Sequence, residues 1–78
     1  MHEVGVAREI LKIALENAKG KKIKHIRVAL AEDGHTTPAS LTDAFSLIAK
    51  GTAAEEALLT IQETQEFESR VVELEVEK

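Results

Sequence analysis

KIKHIRVALAE, residues 22–32, decides how this chain folds. Ahead of it, apolar residues recur at three- and four-residue steps; within it the period drops to two. Ile26, Val28 and Leu30 point one way and His25, Arg27 and Ala29 the other. That alternation marks a strand with one covered face. A strand of this kind needs helices over its apolar side and partners at its edges. The flanking sequence supplies both.

Upstream, Val6, Ala7, Ile10, Leu11, Ala14 and Ala18 form one helical face, widened by Ile13 and Leu15. Arg8, Lys12 and Glu16 make the polar stripe opposite. Gly20 suits the helix C-terminal cap, with Lys19 in the last turn facing the negative end of the dipole. Downstream, EDGHTTP interrupts the chain. Thr37 then fits an N-cap and Pro38 the first helical position. Leu41, Ala44, Phe45 and Ile48 give the second helix its apolar face, and Lys50 with Gly51 closes it. After a turn at TAAEE come two further strands, ALLTIQE with Leu59 and Ile61 inward, and RVVELEVE with Val72, Leu74 and Val76 inward. The TQEFES between them is short enough for a hairpin.

The pattern predicts an α+β domain with topology α-β-α-β-β, a three-stranded sheet and both helices on one face. Residues 1–78 read as a single domain without repeats or linkers. Charge suggests the strand order. His25 and Arg27 stand on the bare face of strand 1, and Glu73, Glu75 and Glu77 on that of strand 3. Opposite charges on neighbouring strands attract, so strand 3 is expected in the middle, order 1-3-2, antiparallel to both neighbours. Helix 2 then makes a right-handed crossover between strands 1 and 2. Strands 1 and 2 become open edges, which would permit a homodimer by strand addition or swapping.

Composition narrows the function. The net charge is -4, which argues against nucleic acid or an anionic membrane surface as partner. Five basic residues and no acidic ones lie between Lys19 and Arg27, whereas eight glutamates follow from Glu55 onward. Complementary neighbouring strands account for this unevenness, and a docking patch for a charged protein is the alternative. The chain has no cysteine, so a thiolate zinc site and an iron–sulfur cluster are not expected. With no secretory or membrane-spanning run, a cytoplasmic location is expected. Ser40, Ser46 and Ser69 have no histidine at motif spacing, and the carboxylates are dispersed, so an enzyme is not expected.

The chain begins Met1, His2, Glu3. A free Met1 amine, the His2 backbone nitrogen and a His2 imidazole nitrogen can close two fused chelate rings on one ion. Three nitrogens in a plane suit Ni(II) or Cu(II) and leave a fourth position open. Each must bind in its deprotonated form, so affinity falls in acid. The ordinary alternative is a solvated terminal histidine, with Glu3 in a first helical turn where the dipole favours a carboxylate. His35 and Glu32, in the break after strand 1, are weaker candidates for the fourth ligand, against a simple polar turn at Asp33-Gly34. His25 reads as a solvated strand residue.

Beyond this point a resemblance adds to the residues. The initial MHE, the strand ending LAE, and PASLTDAFSLIAKGTAAEEALLTIQE resemble the nickel-binding domain of the HypA/HybF family of hydrogenase/urease nickel-incorporation proteins. The matching positions are Pro38, Ser40, Leu41, Ala44, Phe45, Lys50, Gly51, Thr52, Ala54 and Glu55. The resemblance implies a metallochaperone for maturation of [NiFe]-hydrogenase or urease. It implies Ni(II) held by Met1 and His2, with Glu3 in the same site or in partner contact. It also implies a maturation GTPase and the hydrogenase large subunit as partners. The family inserts a zinc domain with two cysteine pairs between strands 2 and 3; here Thr64 to Ser69 closes that gap, so structural zinc is not expected. The competing reading is a metal-free interaction module that keeps the fold and docks to the GTPase or an enzyme subunit.

Overall fold

A computed structural model describes residues 2–32 and 36–78, and of His2 and Glu3 the backbone alone. The elements follow in the order α1 (His2–Ala18), β1 (Ile23–Ala31), α2 (Pro38–Ile48), β2 (Leu58–Thr64) and β3 (Arg70–Val76). The α+β class and the α-β-α-β-β topology are those the sequence predicts. Both helices lie against the sheet: α1 packs on α2, β1 and β3, and α2 packs on α1 and β2.

The helix ends form as their residues dictate. Thr37 sits in extended backbone before α2 and its hydroxyl accepts from Ser40 N at 3.1 Å, while the Ser40 hydroxyl accepts from Thr37 N at 3.0 Å. This reciprocal capping box satisfies two amides that the first helical turn would leave without partners. The α1 helix stops at Ala18, one residue earlier than its charge pattern suggests. Lys19 and Gly20 both take left-handed backbone, φ 53° and 85°, so Lys19 belongs to the turn and not to the last helical turn. Gly51 at φ 79° closes α2 in the same way.

The core is aliphatic with a single aromatic. Ala7, Ile10, Ala14 and Ala18 from α1, Leu41 and Phe45 from α2, and Ile23, Ile26, Val28 and Leu30 from β1 are all buried. The small alanines on α1 let its axis approach the sheet, and the larger strand residues fill the layer between.

The strand order is β2-β1-β3, which corrects the expected 1-3-2. β1 is central, parallel to β2 and antiparallel to β3. The strand neighbours behind the expectation do form: Arg27 lies opposite Glu73, with guanidinium and carboxylate 3.4 Å apart, and His25 lies opposite Glu75 while its ring contacts Thr60. Attraction between two strands fixes that they are neighbours but not which of them also has a neighbour on its far side. Burial decides that. β1 is the longest strand and the most covered; even Ala29, on the face without helices, is buried, as is Ala31 at the strand's end, whereas β2 and β3 contain no buried residue. A parallel partner reached through one helix also belongs next to the strand it left. The open edges are accordingly β2 and β3, not strands 1 and 2.

Two further expectations change with the order. TQEFES is not a hairpin, because β2 and β3 do not pair; residues 65–69 instead cross the end of β1. Ala31 N donates to the Ser69 hydroxyl at 2.9 Å and Glu32 N to Thr64 O at 3.3 Å, tying this bridge down at both ends. In β3, the register slips by one between Arg27–Glu73 and Val28–Val71, leaving Val72 as an extra residue. Val71, not Val72, packs against the core with Leu74 and Val76, and Val72 is 46% exposed.

Candidate functional site

The amino-terminal end of α1 carries the candidate metal chemistry. Because the helix starts at His2, the backbone N–H groups of its first turn have no acceptor one turn back. A nitrogen there can lose its proton to a metal without breaking a helical hydrogen bond. Met1 and His35, together with the side chains of His2 and Glu3, lie outside the described residues. Glu32 is described: it is exposed and directly follows β1.

The fold brings two of the relevant regions to one end of the molecule. Ala31, the last residue of β1, lines the same groove as Gly5 and Val6 in the first turns of α1. The break after β1, with Glu32 at its start, therefore departs from the end where α1 begins. Among the described residues, no three His, Asp or Glu side chains are grouped so as to hold a metal. His25 points its Nε2 at the Thr60 hydroxyl of β2, 2.6 Å away, as a strand residue on the helix-free face. Ser40 is engaged in the helix cap and Ser69 in holding the bridge over β1.

Electrostatics joins the two oppositely charged parts of the chain. Arg27 pairs with Glu73 at 3.4 Å, which realises the complementary-strand account of the charge pattern there, and Lys22 pairs with Glu56 at 3.1 Å between the segments leading into β1 and β2. The hydrogen bond and charge of Glu56 hold the Lys22 amine above the usual lysine value of 10.5. No helix among the described residues is long and apolar enough to cross a membrane.

One surface escaped sequence reasoning. A groove of about 780 Å³ runs between the first half of α1 and the segment from Phe67 to Val71. Phe67 stands at its rim, fully exposed. The available signal was the position of Phe67, one of only two aromatics, between two glutamates in a connecting segment.

A two-layer α+β domain with a β-α-β crossover, a returning antiparallel strand and a helix that starts at residue 2 is the class of protein these features define. Residues 1–69 match the family described as hydrogenase/urease nickel incorporation, metallochaperone, HypA. The chain belongs to that family. It is similar to the hydrogenase maturation factor HypA of Nostoc sp., 33% identical over 63 residues, covering 81% of this chain and 56% of that protein. The HypA of Methanosarcina acetivorans is 32% identical over 65 residues, 80% of this chain and 49% of that protein. The chain thus spans about half the length of the curated relatives it matches. The solution structure of the Ni metallochaperone HypA from Helicobacter pylori superimposes with a TM-score of 0.79 over 95% of this chain and 96% of that one, at 18% identity, and so shares the fold.

Proposed function

We propose that this chain carries Ni(II) for the maturation of a [NiFe]-hydrogenase or a urease, gripping the ion with the Met1 amine, the His2 backbone nitrogen and the His2 imidazole. The observation that carries this reading is that the family match begins at residue 1 and α1 at residue 2, so His2 and Glu3 fall in the first turn of a helix. The positive end of the helix dipole favours deprotonated nitrogen ligands but opposes a dication; the Glu3 carboxylate offsets that opposition. The fourth position falls to Glu3, or more weakly to His35 or Glu32 from the break after β1. Nickel here is cargo: a planar nitrogen set binds it firmly, and protonation or a competing ligand on a partner lets it go.

The connection between β2 and β3 spans only residues 65–69, and the chain has no cysteine. We infer that no zinc domain interrupts this domain and that Ni(II) is its metal. Coupling of nickel binding to delivery would then be supplied by partners, a maturation GTPase and the hydrogenase large subunit. Binding and hand-over of an ion need no catalysis by this chain, and a cytoplasmic setting fits that role.

Calorimetric titration with Ni(II) tests the reading on native protein and on protein with residues added ahead of Met1. Tight binding at one ion per chain in the native form, lost on extension, is expected. Equal binding in both forms would move the site elsewhere; no binding in either would leave the metal-free interaction module.

A further inference from the structure

The groove between α1 and the bridge over β1 has the makings of a docking site. Its floor is apolar, with Val6, Ile10 and Ile13 from α1 facing Ala31 and Val71. Its rim is not. Glu9 and Glu68 border it, and among the described residues neither enters an ion pair. Arg70, the one basic residue at the groove among the described residues, is already matched by Glu66 at 3.5 Å. Phe67 projects from the bridge with its ring fully exposed, although the bridge is anchored to β1 through Ser69 and Thr64. An exposed aromatic on an anchored segment, beside an apolar floor, is how a binding anchor is presented before its partner arrives.

We propose that this groove docks an amphipathic, basic helical segment of a partner protein. Leucine-like side chains of that segment would lie on the floor against Phe67, and its lysines or arginines would meet Glu9 and Glu68. Charge selects this occupant over a second copy. The chain's own basic run, residues 19–27, lies at the opposite ends of α1 and β1, so a two-fold pair built on the groove would set two acidic rims together. The groove ends at Gly5, one helical turn from the start of α1, so a docked partner would sit beside the amino terminus.

The test uses metal-free protein, which separates it from the nickel reading. The probe is a fluorescein-labelled peptide with leucines at i, i+3, i+4 and i+7 and lysines elsewhere, compared with a version carrying glutamates instead. The lysine peptide is expected to bind with a Kd on the order of micromolar. Shifts in the nitrogen–proton spectrum should centre on Gly5, Ile10, Ser69 and Val71. Phe67→Ala touches no buried contact and should keep the circular dichroism of the parent while weakening binding roughly tenfold or more. Glu9→Lys with Glu68→Lys should do the same and admit the glutamate peptide. Unchanged affinity in Phe67→Ala, equal binding of both peptides, shifts confined to the helix-free sheet face, or no binding up to about 1 mM would each overturn the proposal. So would concentration-dependent dimerisation abolished by Phe67→Ala, which would give the groove to a second copy.

Discussion

Replacing Ile26 by alanine should destabilise this domain far more than replacing Leu74, and the difference follows from the strand order. Ile26 is 0% exposed, lies in the central strand and belongs to the buried core cluster. The substitution removes three carbons, worth about 0.8 kcal/mol each in transfer free energy. A cavity term adds to this, because neighbours in the middle of a sheet cannot close in, giving roughly 3–4 kcal/mol. Leu74 sits directly opposite on β3 but is only partly buried, and an edge strand can relax toward the gap. About 1–2 kcal/mol is expected there. A domain of this length holds roughly 4–12 kcal/mol in all, so Ile26→Ala spends a large share and should lower Tm by roughly 15–25 °C. Urea unfolding followed by circular dichroism measures both variants. If Ile26→Ala does not fold, Ile26→Val at about 1 kcal/mol serves in its place. Were β3 central, Leu74 would be enclosed and Ile26 would sit at an edge, so a Leu74 cost equal to or above that of Ile26 would refute the assigned order. Amide exchange gives a second reading: β1, hydrogen-bonded on both sides, should be the slowest strand to exchange.

Other outcomes follow from local features. Thr37→Ala removes the capping-box acceptor at Ser40 N and should cost about 1 kcal/mol, whereas Thr37→Asp should recover most of it; thermal melts would show both. The Lys22 amine is raised above its unfolded value, so while the Glu56 carboxylate is ionised the pair contributes fully below 10.5 and is lost as the pH climbs through the higher folded value. Both partners are largely solvated, so Glu56→Gln should leave the midpoint at pH 7 within error and should flatten any difference above pH 10.5. His35→Ala should weaken nickel binding if that imidazole closes the fourth position; an unchanged affinity in calorimetry excludes it and leaves Glu3 or Glu32.

Elements and faces were legible because each rests on information a few residues long. Alternation at Ile26, Val28 and Leu30, the three- and four-residue steps from Val6 to Ala18, and Thr37 ahead of Pro38 all produce what they announce. Strand order was not legible in charge, since the Arg27–Glu73 attraction is symmetric in its two strands. The greater clue was apolar continuity: VALA at the end of β1 has no exposed position, the mark of a strand flanked by neighbours at both edges. In β3, a strict period of two places Val72 inward. The extra residue that turns it outward is a relation between two strands, which no single strand's pattern contains. The groove was hidden for the same reason, since it joins Val6 and Ile10 to a segment some sixty residues away. The proposed nickel ligands, in contrast, are three consecutive residues, because the proposed chelate is local to the backbone itself.

The number of protons released per Ni(II) bound, obtained by calorimetry near pH 7 in buffers of different ionisation enthalpy, bears most directly on the proposed grip. A chelate that takes in the His2 main-chain nitrogen must expel its amide proton along with that of the ammonium group, so about two protons per ion are expected. Extension ahead of Met1 should abolish that release together with tight binding. Release well below one proton, the same in native and extended protein, would place the ion on side chains alone and contradict the account.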